Sequence, residues 1–138
     1  MTLTKEERQS LIDSARQVRK HAYVPYSHYR VGAALKTRSG RFFSGVNVEN
    51  AAYPVTNCAE RTAVFKAVSE GEREFEAIAV VTDNGGSPCG ACRQVLAEFG
   101  LDTIVLICDG EGRLIREMSV ADLLPEAFTP DHLPLREG

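Results

Sequence analysis

The sequence predicts an α/β fold, with a mixed sheet of about five strands covered by helices. Three observations carry this expectation. Helical and strand patterns alternate along the chain. Hydrophobic residues make up 43% of 138 positions, enough for one core and hardly for two, so one domain spanning residues 1–138 is expected. The tight turn Asp109-Gly110-Glu111-Gly112 makes the strand after it antiparallel to the strand before it, so the sheet cannot be wholly parallel.

The elements follow in order. Thr4-Lys5-Glu6-Glu7 reads as a capping box, in which Thr4 and Glu7 satisfy each other's backbone donors. Leu11, Ala15, Val18 and Ala22 then recur at helical spacing, and Pro25 ends that helix. Residues 31–37 and 41–48 flank Arg38-Ser39-Gly40 and predict a hairpin. From Asn47 to Asn57 no period survives, and loops of this length inside a compact domain are often functional. Asn57 is the expected cap of a helix starting at Cys58, with Ala63, Val64, Ala67 and Val68 as its buried stripe and Gly71 closing it. Residues 77–82 form a short apolar strand, and residues 83–87 are rich in turn formers. Pro88 suits the first turn of another helix, with Ala91, Val95, Leu96 and Phe99 inward. Residues 103–108 predict a strand and 114–118 its antiparallel partner. Ser119 and Asp122 cap a last short helix, and the tail after Pro125 reads as irregular.

Composition narrows the function. Net charge is -3 with both signs mixed, and no basic run offers a phosphate footprint, so nucleic acid is a poor first partner. The opening MTLTKEERQS is polar with no apolar segment behind it, which argues against a signal peptide. No run approaches the ~18 apolar residues of a membrane span. A soluble, cytoplasmic protein without a membrane partner is expected. In that compartment four cysteines point to metal or catalysis rather than disulfides.

Two segments stand together: Cys58-Ala59-Glu60 and, further on, Pro88-Cys89-Gly90-Ala91-Cys92. Taken singly, Cys58 is a small core residue, and Cys89 with Cys92 is a redox pair or half of a structural zinc site. Together they read differently. Cys89 and Cys92 stand at i and i+3, on one side of a helix start, and Cys58 opens a different helix. Helix N-termini favour anions and so stabilise thiolates. Three thiolates leave one zinc position open, the mark of a catalytic rather than a structural site. Cys108 ends an apolar run and reads as a core cysteine. His21, His28 and His132 are scattered, without ligand spacing to the cysteines. Glu60 poses a geometric question, because helical residues i and i+2 point about 200° apart. It can share a metal-bound water with Cys58 only if Cys58 lies in a non-ideal first turn. Otherwise it is a solvated first-turn glutamate.

Cys58-Ala59-Glu60-Arg61-Thr62-Ala63 and Pro88-Cys89-Gly90-Ala91-Cys92-Arg93-Gln94 resemble the two zinc motifs of the cytidine deaminases, specifically the small homotetrameric type. The resemblance runs from about residue 20 to 128. Tyr26-Ser27, Val31-Gly32-Ala33-Ala34-Leu35, Gly45-Val46-Asn47-Val48-Glu49-Asn50-Ala51, Ala67-Val68-Ser69-Glu70-Gly71 and Leu123-Leu124-Pro125 all fit it. It implies a three-layer α/β/α, cytidine deaminase-like fold. It also implies hydrolytic deamination of cytidine and deoxycytidine in pyrimidine salvage, with one Zn²⁺ per subunit on Cys58, Cys89 and Cys92. Glu60 would carry protons from water to the pyrimidine N3 and then to the departing amine. The Ala59 N–H would hold the pyrimidine O2, and the Ser87 carbonyl would receive ammonia. Asn47 and Glu49, two apart at a strand end and so on one face, would bond the ribose 3′-hydroxyl, which makes free cytosine a very poor substrate.

Three thiolates with Zn²⁺ carry a net negative charge, and Arg61 is the side chain expected to offset it by donating to a thiolate. The family usually has Phe where Tyr29 stands, packing on the pyrimidine. The added hydroxyl needs a partner or must reach solvent. Tyr53 and Phe128 match positions that complete a neighbouring subunit's site, so a homotetramer with shared sites is implied. The tail from Thr129 to Gly138 fits the family less closely and is expected to lack order. Within the fold, a deaminase of another aminopyrimidine such as blasticidin S is the nearest alternative. A polynucleotide-editing deaminase fits the acidic balance poorly. Outside it, a structural zinc protein would need a fourth protein ligand, and a redox protein a reversible Cys89–Cys92 disulfide.

Overall fold

A computed structural model describes residues 3–133 of the chain. Five strands, β1 (Gly32–Thr37), β2 (Phe42–Val46), β3 (Phe75–Val81), β4 (Ile104–Cys108) and β5 (Leu114–Ser119), form one sheet in the order β2-β1-β3-β4-β5. Only β3 and β4 run parallel, and the other neighbours are antiparallel, so the sheet is mixed as expected. Helix α1 (Lys5–Val18) covers one face. Helices α2 (Ala59–Ser69), α3 (Gly90–Glu98) and α4 (Val120–Leu123) cover the other, giving three layers, α/β/α. No helix among the described residues is long and apolar enough to cross a membrane.

Alternation of side chains builds both cores. Ala33, Leu35, Ile78, Val80, Val105 and Ile107 face α2 and α3, whereas Ala34, Ala77, Ala79, Val81, Leu106 and Cys108 meet Leu11, Ile12 and Ala15 of α1. Every residue of β3 is therefore buried. On α2, Ala59, Ala63 and Ala67 recur every fourth residue as a flat buried face. The helix backbone lies so close to β2 that a Cβ on Gly45 would come within 2.6 Å of both the Ala59 carbonyl and the Ala63 N–H. This contact sets the height of the α2 N-terminus above the sheet.

Several expected boundaries move. Helix α1 stops at Val18, followed by a 3₁₀ turn at Arg19–His21, so Pro25 is not its terminator and Ala22 lies beyond it. The chain leaves early because Tyr23 pairs with Val48. Cys58, not Asn57, is the N-cap of α2, and Cys89 is the N-cap of α3, which places Pro88 before that helix. Of the expected inward residues of α3, Leu96 is buried and Val95 and Phe99 pack against the core, but Ala91 is exposed, and Cys92 and Ala97 complete the inward face. The capping boxes at Thr4 and Ser119 form as expected, and Gly71 closes α2 with φ of +89°. Of the tail expected to lack order, Pro130–His132 form a 3₁₀ turn, and residues 134–138 lie outside the described residues.

A polar contact ties α1 to the sheet. Lys36 Nζ lies 2.8 Å from Glu7 and 2.6 Å from the buried Glu76. The Lys36 hydrogen bond, with help from Thr4, pulls the Glu7 carboxyl down from 4.5 to about 2. The folded chain thus holds this charge more tightly than the unfolded chain does. Stability from the contact is complete above about pH 4.5 and is lost as pH falls toward 2. Glu7→Gln keeps a capping-box acceptor but removes the charge. Its melting temperature should lie below that of the wild type at pH 7, with the gap closing between pH 4.5 and 2. Thermal melts across that range check this, and parallel curves would refute it.

Candidate active site

The site lies beyond the carboxyl ends of the parallel strands β3 and β4, where α/β sheets usually bind ligands. Two helix starts meet there. Cys58 and Cys89 both take extended backbone angles as N-caps, with φ, ψ of -75°, 155° and -68°, 166°. Neither makes a side-chain capping bond, in contrast to Thr4 and Ser119. Cys92 is fully buried in the first turn of α3. The three sulfurs lie within 4.8 Å of one another, Cys58 and Cys89 at 3.9 Å. Among the described residues no fourth His, Cys, Asp or Glu joins them. Cys108 lies on the opposite face of the sheet beneath α1, where burial pushes its thiol up to about 11. All three histidines are exposed.

Because Cys58 is a non-helical cap, the 200° separation of an ideal helix does not apply to Cys58 and Glu60. Glu60 is 5% exposed and lines one cavity with Cys58 and Cys89. Burial, reinforced by the charge of Cys58, raises its carboxyl against the pull of its own backbone N–H and the Cys92 thiol. The Cys58 thiol is pulled down to about 5, first by a hydrogen bond from Cys92 and then by Arg61. Cys92 is raised as that donor and by burial. Arg61 Nη2 sits 3.1 Å from Cys58 Sγ, and its Nε is buried without a partner among the described residues. The donor set fits zinc: three soft sulfurs at helix N-termini, a guanidinium to offset their charge, and one position left free.

The cavity has a volume of 210 Å³. Tyr29, Asn47, Ala59 and Ser87 line it. Glu49 and Tyr53 do not. They line an adjoining hollow with Ser27 and Thr56, of which Thr56 borders both. The strand ends at Val46, so Asn47 and Glu49 do not share a strand face. Their side chains instead hold the 26–31 loop. Asn47 donates to the Tyr29 carbonyl at 2.8 Å and accepts from the Val31 N–H at 3.0 Å. Glu49 accepts from the Tyr26 and Ser27 N–H groups at 3.0 and 3.1 Å and from the Ser27 hydroxyl. Phe128 is exposed and lines neither hollow.

Sequence reasoning missed Arg93, although it stands beside a motif cysteine. Its guanidinium donates to the Pro88 and Leu123 carbonyls, both at 2.8 Å, and to the Ser87 hydroxyl, which fixes the loop leading into Cys89. A larger groove of 490 Å³ along α1, lined by Asp13, His21 and Ser44, gathers no thiol and no buried carboxyl group.

Clustered thiols with a neighbouring buried acid, in a small cavity over the end of an α/β/α sheet, suit metal-assisted hydrolysis of a small ligand. A family model described as the cytidine and deoxycytidylate deaminase zinc-binding region matches residues 5–108, and the chain belongs to this family. The cytidine deaminase of Halalkalibacterium halodurans is 53% identical over 130 residues, covering 92% of this chain and 98% of that protein. The crystal structure of cytidine deaminase from Burkholderia pseudomallei superposes with a TM-score of 0.83 at 49% identity, covering 91% of this chain and all of that one. The blasticidin-S deaminase of Bacillus cereus is more distant, 32% identical over 129 residues, covering 86% of this chain and 90% of that protein.

Proposed function

We propose that the chain is a single catalytic domain that hydrolyses cytidine and deoxycytidine to uridine and deoxyuridine, releasing ammonia. The observation that carries this reading is the convergence of Cys58, Cys89 and Cys92 on a cavity that also holds the buried Glu60. The three cysteines would hold one Zn²⁺ per subunit. Bound zinc supplies a Lewis acid that makes water nucleophilic near neutral pH.

The chain's own residues do the rest. Glu60, its carboxyl raised by burial, takes one proton of the attacking water and gives it to pyrimidine N3, then carries the remaining proton of the new C4 hydroxyl to the amino nitrogen, which leaves as ammonia as the C4 carbonyl forms. The Ala59 N–H, at the start of α2, orients the pyrimidine O2. The Ser87 carbonyl receives ammonia. Arg61 draws charge off Cys58. The Tyr29 ring packs on the base, and Asn47 and Glu49 bind the sugar 3′-hydroxyl while bracing the 26–31 loop. Tyr53 and Phe128, both largely exposed in the single chain, complete a neighbouring site in a homotetramer. The enzyme works in the cytoplasm, in pyrimidine salvage, on free nucleosides rather than nucleic acid.

Purified protein tests this through zinc per chain and the absorbance of cytidine. One zinc per chain and conversion to uridine are expected, with free cytosine turned over far more slowly because it lacks the sugar that Asn47 and Glu49 would hold. Bound zinc with cytidine unchanged would move the substrate to another aminopyrimidine, blasticidin S first.

A further inference from the structure

Tyr29 carries a hydroxyl at a position where an unadorned ring would fill the cavity wall equally well. That hydroxyl does not end in solvent. It donates to Asn84 Oδ1 at 2.8 Å, 55 residues further along the chain. We infer that Tyr29 and Asn84 form a latch across the mouth of the cavity, which positions the 83–87 loop for the reaction proposed above and rests on that reading.

The Tyr29 side of the latch is rigid. Its N–H donates to the Ser27 hydroxyl at 3.0 Å and its carbonyl accepts from Asn47 at 2.8 Å, while Glu49 clamps Tyr26 and Ser27. On the other side, Asn84 makes no further side-chain hydrogen bond among the described residues. Asn84 precedes Gly85, which has φ of +74°, and Gly86, so the loop holds the two residues with most backbone freedom in succession. Gly86 also makes room for the latch: a Cβ there would lie 2.7 Å from the Tyr29 hydroxyl oxygen. Anchors stand on both sides of Asn84 and Gly85. Arg19 pairs with Asp83, the Gly86 N–H donates to Thr82 at 2.7 Å, and Arg93 holds Ser87. At the crown of the loop, the bond from Tyr29 holds Asn84. Gly86 and Ser87 both line the cavity, so motion of this crown reaches the reacting end of the pocket. Tyr29 thus acts as a positioning residue through its hydroxyl, beyond any contact of its ring.

Tyr29→Phe removes one oxygen and keeps the ring, and Asn84→Ala alters an exposed loop residue, so both variants should fold and keep wild-type zinc. In the zinc-loaded enzyme, amide exchange over residues 83–87 should quicken by about three- to ten-fold in each, the size of one neutral hydrogen bond. The kcat for cytidine should fall by a similar factor, with KM within about twofold. The double variant should be no worse than either single, because both remove the same bond. Wild-type exchange in Tyr29→Phe, an unchanged kcat, or losses that multiply in the double variant would overturn the latch. If exchange quickens as expected while the wild type leaves cytidine untouched, the latch stands and the substrate reading falls.

Discussion

Glu60→Gln should lower kcat for cytidine by about 10²–10⁴-fold while zinc per chain stays at the wild-type level. Glutamine keeps the shape of the side chain at the start of α2 but cannot accept and return a proton. Glu60 is 5% exposed, and its burial already favours the uncharged form, so a neutral amide fits the same space at little expense of stability. The sulfurs that could hold a metal come from three other residues. Zinc analysis alongside an absorbance assay separates the two functions. Retained turnover would remove Glu60 from the chemistry, and lost zinc would make it a ligand rather than a proton carrier.

The second large effect is expected from Cys89→Ala. This cysteine is exposed and makes no capping bond to α3, so its loss should leave the metal-free fold intact. The remaining pair, Cys58 and Cys92, offers only two sulfurs. Arg61→Ala, which leaves all three sulfurs and removes only the neighbouring guanidinium, should weaken zinc by about 10–100-fold, the usual size for a residue that supports a ligand. Cys89→Ala should weaken it by more than about 100-fold and abolish turnover. Added zinc should restore Arg61→Ala but not Cys89→Ala. Competition with a chelator of known affinity, with melts of the metal-free forms as control, measures both. A Cys89→Ala protein that still holds one zinc per chain would show that Cys89 is not a ligand.

Cys89 and Cys92 were legible in the sequence because their spacing is local, whereas Cys58, 31 residues before Cys89, joined them only through the resemblance of its own motif. Cys89 and Cys92 fall on one side of a helix start at any register, and the order of strands and helices follows from apolar periodicity. The helix starts themselves fall later than expected, by one residue at α2, which begins at Ala59, and by two at α3, which begins at Gly90 rather than Pro88. Asn57 and Pro88 carry stronger local signals than a cysteine does. In the fold, Asn57 instead donates to Thr62, and the cysteines take the cap positions because their sulfurs meet across two helices. That one-residue shift also resolves the placing of Glu60 relative to Cys58.

The sequence by itself therefore determined the α/β class, the mixed sheet, the capping boxes and the spacing of Cys89 and Cys92, all of which depend on neighbours within a few turns or on alternation along one strand. The tertiary structure decided which polar side chains serve the cavity and which serve the loops around it. Asn47 and Glu49 brace the 26–31 loop, Arg93 fixes the approach to Cys89, and Tyr29 reaches Asn84. Each of these bonds joins segments far apart in the chain, and a polar side chain in a loop carries no periodic signal of the donor or acceptor it will meet once the sheet has brought the loops together.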